Sequence, residues 1–143
     1  MNVEEKLKKH LLGQEIDRIE QGEVLYLKNG VALELYECDQ DCCAGAHGKW
    51  MLPDGEIHGG VTEVKFEEET YCEEYGDCSS ECVITLLHEN RAIASAEGYA
   101  VAGNGGYYFS ALSLRVKVDD KTIDDFDVIS VWGMGCLPAT LDR

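Results

Sequence analysis

Apolar and polar positions follow a helical period at the start of the chain and a strand period after it. In residues 2–12, Val3, Leu7 and Leu11 recur at helical spacing with lysines on the opposite face, and Gly13 follows where helices commonly stop. The later segments alternate between apolar and polar side chains, which is typical of strands with one buried face. The pattern predicts a short amphipathic helix followed by strands.

Short turn signals separate the predicted strands. Asn29-Gly30 stands between the first two strand-like runs, and this pair is the strongest short signal for a hairpin with a type I′ turn. The polar link 89–91 indicates a second hairpin. Strict alternation over 112–118 indicates a half-buried antiparallel strand. The predicted strands are 23–28, 31–36, 61–66, 82–88, 92–98, 107–118 and 126–132.

These elements predict an α+β, mostly β fold in which the short N-terminal helix packs on a bent antiparallel sheet or a small sandwich. Helices do not alternate with the strands, which argues against a parallel doubly wound sheet. At 143 residues we expect a single domain over 1–143. It would comprise a helix in 1–13, an antiparallel β core in 23–132 and an acidic, Cys-rich insertion at about 67–82.

The chain is strongly acidic, with 12 Lys and Arg against 28 Asp and Glu and a formal net charge of −16. This charge argues against a protein that binds nucleic acid or an anionic membrane, and it favours a basic partner or a cation. The acids concentrate in 63–81 and 119–127, in predicted loops or edge strands. Either segment alone is typical of a solvated loop, whereas both on one small domain favour an acidic face.

The lack of a recognisable membrane-spanning or secretory segment, together with the cysteine usage, predicts a cytoplasmic protein. No apolar run approaches the roughly 18 residues that span a membrane, and the N-terminus lacks the apolar region of a secretory signal. Seven cysteines, an odd number, make a poor disulfide framework. We expect most of them to be reduced and to serve as small buried side chains.

Two Cys-containing segments are candidates for chemistry. In 38–50, Cys42 or Cys43 with His47 is a candidate nucleophile and base, but nothing marks a third orienting group, so a structural turn is favoured. In the acidic stretch, three cysteines and a histidine are candidate zinc ligands, although the usual close C-x2-C pair is missing. A Cys72–Cys78 or Cys78–Cys82 disulfide is the alternative in an oxidising compartment. The candidate zinc ligands are Cys72, Cys78, Cys82 and His88, with His58 as a substitute for His88.

A glycine-rich loop followed by aromatics, 103–109, is a candidate site for a small anionic ligand. Its backbone N–H groups suit an anion and its tyrosines suit stacking on a base, but it matches no phosphate-loop motif. A hairpin loop leading into a strand is the favoured interpretation. The candidate ligand-binding residues are Asn104, Tyr107, Tyr108 and Arg115. Since no Ser-His-Asp order and no H-E-x-x-H is present, we predict neither an enzyme nor a cofactor.

Three short segments resemble a known group of proteins. These are 11–20 (LLGQEIDRIE), the strand and Q-D-C-C turn in 35–44, and the G-N-G-G-Y-Y loop at 103–108. Together they are similar to a family of uncharacterised small proteins encoded by bacteriophages and prophage-bearing genomes. The resemblance implies a phage context and brings no known activity. The acidic segment with Cys72 and Cys82 departs from that pattern and is a candidate for a specialised function.

The sequence therefore predicts a non-catalytic phage accessory protein of the host cytoplasm. Its acidic, nucleic-acid-mimicking face would bind and inhibit or modulate a basic host protein, such as a defence or nucleic-acid-binding protein, without contacting nucleic acid or membrane itself. A small-ligand (nucleotide-messenger) binding protein and a zinc-stabilised structural module are the alternatives, and a homo-oligomer is left open. The predicted partner-binding residues are Glu67, Glu68, Glu69, Glu73, Glu74 and Asp77.

Overall fold

The computed structural model describes residues 2–40, 45–52, 59–72, 78–101 and 109–132. Within these ranges the chain forms one helix and nine strands. The helix is α1 (Val3–Leu11), and the strands are β1 (Ile16–Glu20), β2 (Val24–Leu27), β3 (Val31–Gln40), β4 (Gly45–Met51), β5 (Glu63–Cys72), β6 (Cys78–His88), β7 (Arg91–Val101), β8 (Phe109–Val118) and β9 (Lys121–Trp132).

The predicted N-terminal helix is confirmed. Asn2 caps α1 and forms a capping box with Glu5, which satisfies backbone N–H groups that the first turn leaves without partners. Leu7 and Leu11 are fully buried. Gly13 adopts a φ of 80°, a left-handed conformation that ends the helix at low cost.

The strands form two antiparallel sheets, which confirms the predicted mostly β class. The five-stranded sheet has the order β1-β2-β3-β8-β9, and the four-stranded sheet has the order β4-β7-β6-β5. Both sheets contribute to one hydrophobic cluster, with Leu33 and Leu112 from the first and Ile84 and Trp50 from the second. Helix α1 packs against β5 and β9, which are edge strands of different sheets.

Two-residue turns connect several of the strands. The β6–β7 turn has positive φ at both Glu89 and Asn90, which confirms the second predicted hairpin and is the type I′ geometry. The first predicted hairpin is also confirmed, but the prediction that its turn is of type I′ is wrong. Only Gly30 there has a positive φ, and its N–H donates to the carbonyl of Leu27. This is a longer turn closed by a left-handed glycine.

Two strands lie outside the predicted strand ranges, and the acidic segments, expected in loops or edge strands, lie largely on strands. β1 is short, and β4 covers Gly45–Met51, which lies largely within 38–50, where a turn was expected. Residues 67–72 and 78–82 continue β5 and β6 as a paired hairpin rather than forming an appended insertion. The second acidic segment is a turn at Asp119 and Asp120 followed by β9, the outer strand of its sheet. The acidic segments therefore lie mainly on the edge strands β5 and β9, with Glu81 on the inner strand β6.

Candidate functional site

One broad surface of the four-stranded sheet faces away from the core and carries more carboxylates than cations. Side chains of a strand alternate between faces, so the residues that neighbour the buried Val64, Ile84, Ala96 and Trp50 point outward. We call this surface the acidic face. Its carboxylates are Glu63, Glu67, Glu69, Glu81 and Glu97, and its cations are Lys49 and Lys65.

The strand register brings carboxylates of the acidic face together. Glu69 of β5 lies directly opposite Glu81 of β6, and Glu67 lies opposite Val83, which lies opposite Glu97 of β7. Among the described residues, no ion pair within 4 Å involves any carboxylate of the acidic face. Glu69 accepts a hydrogen bond from the Tyr71 hydroxyl. Like charges placed directly opposite each other are destabilising in a sheet, so the face keeps an unfavourable arrangement.

Apolar side chains lie among these carboxylates. Val83 is 39% exposed, Met51 36% and Tyr71 52%. All three belong to the acidic face, and in the described part of the chain only Leu12 and Ile123 are other large apolar side chains with comparable exposure. Exposed apolar groups with a polar surround are typical of protein interaction surfaces.

Two grooves cross the acidic face, one on each side of Glu81 and Val83. The larger groove has a volume of about 720 Å³ and lies between the sheet and the β1–β2 turn. The backbone N–H of Trp50 holds this turn in place by donating a hydrogen bond to the Gly22 carbonyl at 2.6 Å. The smaller has a volume of about 210 Å³. Residues lining the larger groove include Glu23, His47, Lys49, Glu81, Glu97 and Tyr99, and those lining the smaller include Glu67, Glu69 and Val83.

The predicted partner-binding residues divide between two faces of the sheet. Glu67 and Glu69 lie on the acidic face, whereas Glu68 lies on the opposite side of β5, across from Cys82. All three are exposed. Glu73, Glu74 and Asp77 lie outside the described residues. The acidic run found in the sequence therefore contributes only alternate residues to one surface.

Within the second acidic segment, the acids that lie on β9 are engaged within the protein. The carboxylate of Asp124 lies 2.8 Å from Nε2 of His10, and this hydrogen bond holds the pKa of Asp124 below its ordinary value. The Tyr36 hydroxyl donates to Asp125 at 2.7 Å, and Ser113 donates to Asp127 at 2.7 Å. The acids of β9 thus stabilise the fold, unlike those of the acidic face.

Arg115, predicted as a ligand-binding residue, is also engaged. Its guanidinium lies 3.9 Å from the centre of the Tyr36 ring, 3.6 Å from Glu34 and 4.0 Å from Asp125. It sits in the middle of β8 on the five-stranded sheet. Asn104, Tyr107 and Tyr108 lie outside the described residues, so a small-ligand site formed with them stays a prediction.

The candidate zinc ligands do not come together where they are described. Cys78 is disulfide-bonded, while Cys82 is a buried free thiol, so the Cys78–Cys82 disulfide prediction is wrong. Burial raises the pKa of Cys82 to about 12, which keeps the thiol protonated at neutral pH. His88 lies six positions along β6, about 20 Å away, with Nδ1 2.6 Å from the Gly60 carbonyl. The backbone register sets Cys72 opposite Cys78, and a disulfide between these two stays a prediction.

No group of three or more candidate metal ligands forms within the described ranges. Cys42 and Cys43, the candidate nucleophiles, lie outside those ranges. Their predicted partner His47 is exposed on β4, and its ring centre lies 5.6 Å from that of Tyr99. No sequence pattern connects His47 with Tyr99, Glu97 or Val83, because these residues meet only through the pairing of β4, β7 and β6. Alternation within 92–98 was the available signal for Glu97.

The fold and the acidic face together define a small, mostly β protein with an exposed, acidic sheet surface that also carries apolar side chains. The chain belongs to the DUF7448 family, a domain of unknown function, whose model matches residues 8–114. All strands of the acidic face lie within the matched range. No curated protein and no solved structure matches the chain. The prediction of an uncharacterised family is confirmed, and the phage context stays a prediction. The described part of the chain contains no helix suited to crossing a membrane.

Proposed function

We propose that this protein is a non-catalytic binding protein whose acidic face binds a basic surface of another protein. In this proposal it is a phage accessory protein of the host cytoplasm that inhibits or modulates a host nucleic-acid-binding or defence protein. It contacts neither nucleic acid nor membrane. The two sheets form a small sandwich that holds the acidic face rigid, with α1 packed at one side.

The observation that carries the proposal is the pairing of Glu69 with Glu81 beside Glu67 and Glu97. None of these carboxylates forms an ion pair within 4 Å among the described residues. Cross-strand pairs contribute roughly 0.2–1 kcal/mol each, and like charges shift the balance toward instability. Local arrangements that oppose folding are expected at functional sites. A cationic partner would convert the repulsion into attraction. The exposed Val83 between these carboxylates adds an apolar centre for the contact.

The geometry suits a surface that normally binds phosphates. Carboxylates two residues apart on one strand lie about 6.7 Å apart, and neighbouring strands lie about 4.8 Å apart. Duplex DNA carries one phosphate per about 3.4 Å of axis on each strand. One strand of the face is therefore less dense in charge than DNA, but three strands side by side supply a two-dimensional array. Such an array competes for lysine and arginine side chains by the same electrostatics.

A charge-neutralising variant tests the proposal. We expect Glu67→Gln, Glu69→Gln and Glu81→Gln, combined in one protein, to weaken binding of a labelled arginine- and lysine-rich peptide at least tenfold at low salt. Wild-type binding should weaken steeply as salt rises, because screening removes the attraction between exposed charges. Fluorescence anisotropy across a salt series measures both effects.

The matched control removes three negative charges elsewhere: Glu15→Gln, Asp119→Asn and Asp120→Asn. Both triple variants reduce the net charge from −16 to −13, since −16 + 3 = −13. We expect the control to bind within about twofold of wild type. Equal weakening in the two variants would show that net charge alone governs binding and would contradict the proposal, as would a salt-insensitive complex. The two proteins can then be compared as baits at low and high salt to identify the partner.

A further inference from the structure

A tyrosine flanked by carboxylates occurs on both sheets, but among the described residues an arginine stacks on such a tyrosine only on the five-stranded sheet. Arg115 lies 3.9 Å from the ring centre of Tyr36, with Glu34 within 3.6 Å of the guanidinium. Arg18 lies 4.1 Å from the ring centre of Tyr26, with Glu20 within 3.5 Å. In each case a guanidinium stacks on an aromatic ring and is held by a carboxylate.

Tyr99 has the same kind of neighbours on the acidic face. Glu81 lies directly opposite it on β6, and Glu97 lies two residues before it on the same side of β7. Its ring is half-buried and lines the groove of about 720 Å³. Every lysine and arginine except Arg143 lies in the described ranges, and none of those described stacks on Tyr99.

Lys49 is the one lysine or arginine among the described residues that line this groove, and its side chain packs against the β1–β2 turn. The side chain of Lys49 packs over Gly22 in the β1–β2 turn, where an added Cβ would lie 2.6 Å from Cγ of the lysine. Glu23, Glu81 and Glu97 outnumber this cation in the lining. The charge balance therefore favours a cationic ligand over an anionic one, and the flat ring of Tyr99 favours a guanidinium over an ammonium.

We propose that the groove beside Tyr99 binds an arginine side chain presented by the partner protein, with Glu81 and Glu97 holding the guanidinium. The inference rests on the proposed function and names the side chain that the acidic face recognises. A groove of this volume is larger than one side chain needs, so it accommodates the arginine together with neighbouring residues of the partner. Val83 at the groove edge contacts the aliphatic stem.

The test compares two labelled peptides that differ only in carrying arginine or lysine at every basic position. Wild type should bind the arginine peptide more tightly. Tyr99→Leu should weaken arginine binding about two- to fivefold, the range expected for an exposed cation–π contact, and remove most of the preference over lysine. Tyr99→Phe keeps the ring and should bind within about twofold of wild type. Thermal unfolding of each variant confirms that it is folded.

A second variant should tighten arginine binding instead of weakening it. Lys49→Gln removes the cation that faces Glu97 across β4 and β7, so we expect arginine binding to tighten about twofold. This variant leaves Tyr99 in place and preserves the test even where Tyr99→Leu does not fold. Unchanged or weaker binding by Lys49→Gln would contradict the inference.

The outcomes separate the inference from the proposed function. Unchanged arginine preference in Tyr99→Leu, or no preference in wild type, would overturn the arginine groove while the salt-sensitive acidic face still stands. Failure of wild type to bind either peptide at low salt would overturn both. Free agmatine, an alkylguanidinium, should compete only weakly; binding as tight as that of the peptide would point to a free small molecule and overturn the partner assignment.

Discussion

Individual carboxylates of this chain fall into two groups, those with a partner inside the protein and those without one among the described residues. Asp124 belongs to the first group through His10, and Asp125 through Tyr36. Glu67 and Glu81 belong to the second and face solvent. Composition treats these residues alike, yet the first group contributes to folding and the second is available to a partner.

The His10–Asp124 contact predicts a specific acid sensitivity. The pKa of Asp124 is lower in the folded protein than its ordinary value of 3.8, chiefly because of the hydrogen bond to His10. Its stabilising contribution is therefore complete above the unfolded pKa and is lost as pH falls below about 4, through the depressed folded pKa. Asp124→Asn should cost about 1 kcal/mol near neutral pH and flatten the acid limb of the stability curve.

Urea unfolding of wild type and Asp124→Asn at several pH values below and above 4 measures this effect. Asp119→Asn, in the exposed turn before β9, is the control and should leave the acid limb unchanged. An Asp124→Asn curve parallel to that of wild type throughout would contradict the assigned role of the contact.

At the scale of elements, two glycines allow the sheets to approach each other closely. An added Cβ at Gly98 on β7 would lie 2.6 Å from Sγ of Cys82 and 2.7 Å from Cδ2 of Leu112 on the other sheet. At Gly48 on β4 the same atom would lie 3.0 Å from Cδ2 of Leu112. The sheet that carries the acidic face therefore packs closely on the other sheet at these two positions, and this packing depends on Gly48 and Gly98 having no side chain.

We expect Gly98→Ala to lower the free energy of unfolding by about 1–3 kcal/mol, since the buried atoms that its Cβ meets have little room to move. Gly60→Ala is the control, because the nearest atom to its Cβ is a backbone oxygen at 3.5 Å, an ordinary contact. Urea denaturation measures both. Equal losses in the two variants would contradict the close approach of the sheets at Gly98.

The elements with clear alternation and turn signals could be predicted from the sequence, and those shaped by long-range packing could not. The alternation of apolar residues predicts β8, since every second residue is apolar and buried at Leu112, Leu114 and Val116. By contrast, the segment that contains β4 resembles a turn in the sequence, and the missing side chain of Gly48 is explained only by the position of Leu112 on the other sheet. Local pattern carries no information about a partner that distant in sequence.

The candidate site shows the same limit. The acidic run 67–69 was evident from the sequence, and alternation along a strand would have separated Glu68 from its neighbours had 67–72 been assigned to β5. Tyr99 and Glu97 could not be joined to this run without the pairing of β6 with β7. The acidic character of the site could thus be predicted from the sequence. The arrangement of its residues could not, because it depends on the register of three strands.

At the scale of the whole molecule, the net charge of −16 is distributed unequally between two sheet surfaces. On the five-stranded sheet, Arg18, Arg115 and Lys117 pair with nearby acids. On the four-stranded sheet, the described carboxylates lack such partners and surround exposed apolar side chains. We therefore expect a partner to dock on one sheet only.

Mapping the contact surface by NMR tests this central claim most directly. Titration of isotope-labelled protein with the arginine-rich peptide should shift backbone amide signals of β4, β5, β6 and β7, most strongly near Tyr99, Glu97 and Glu81. Outside the β1–β2 turn, which forms one wall of the groove, the signals of the five-stranded sheet should stay unchanged. Shifts centred on the five-stranded sheet, or spread evenly over both sheets, would contradict the acidic face as the binding surface.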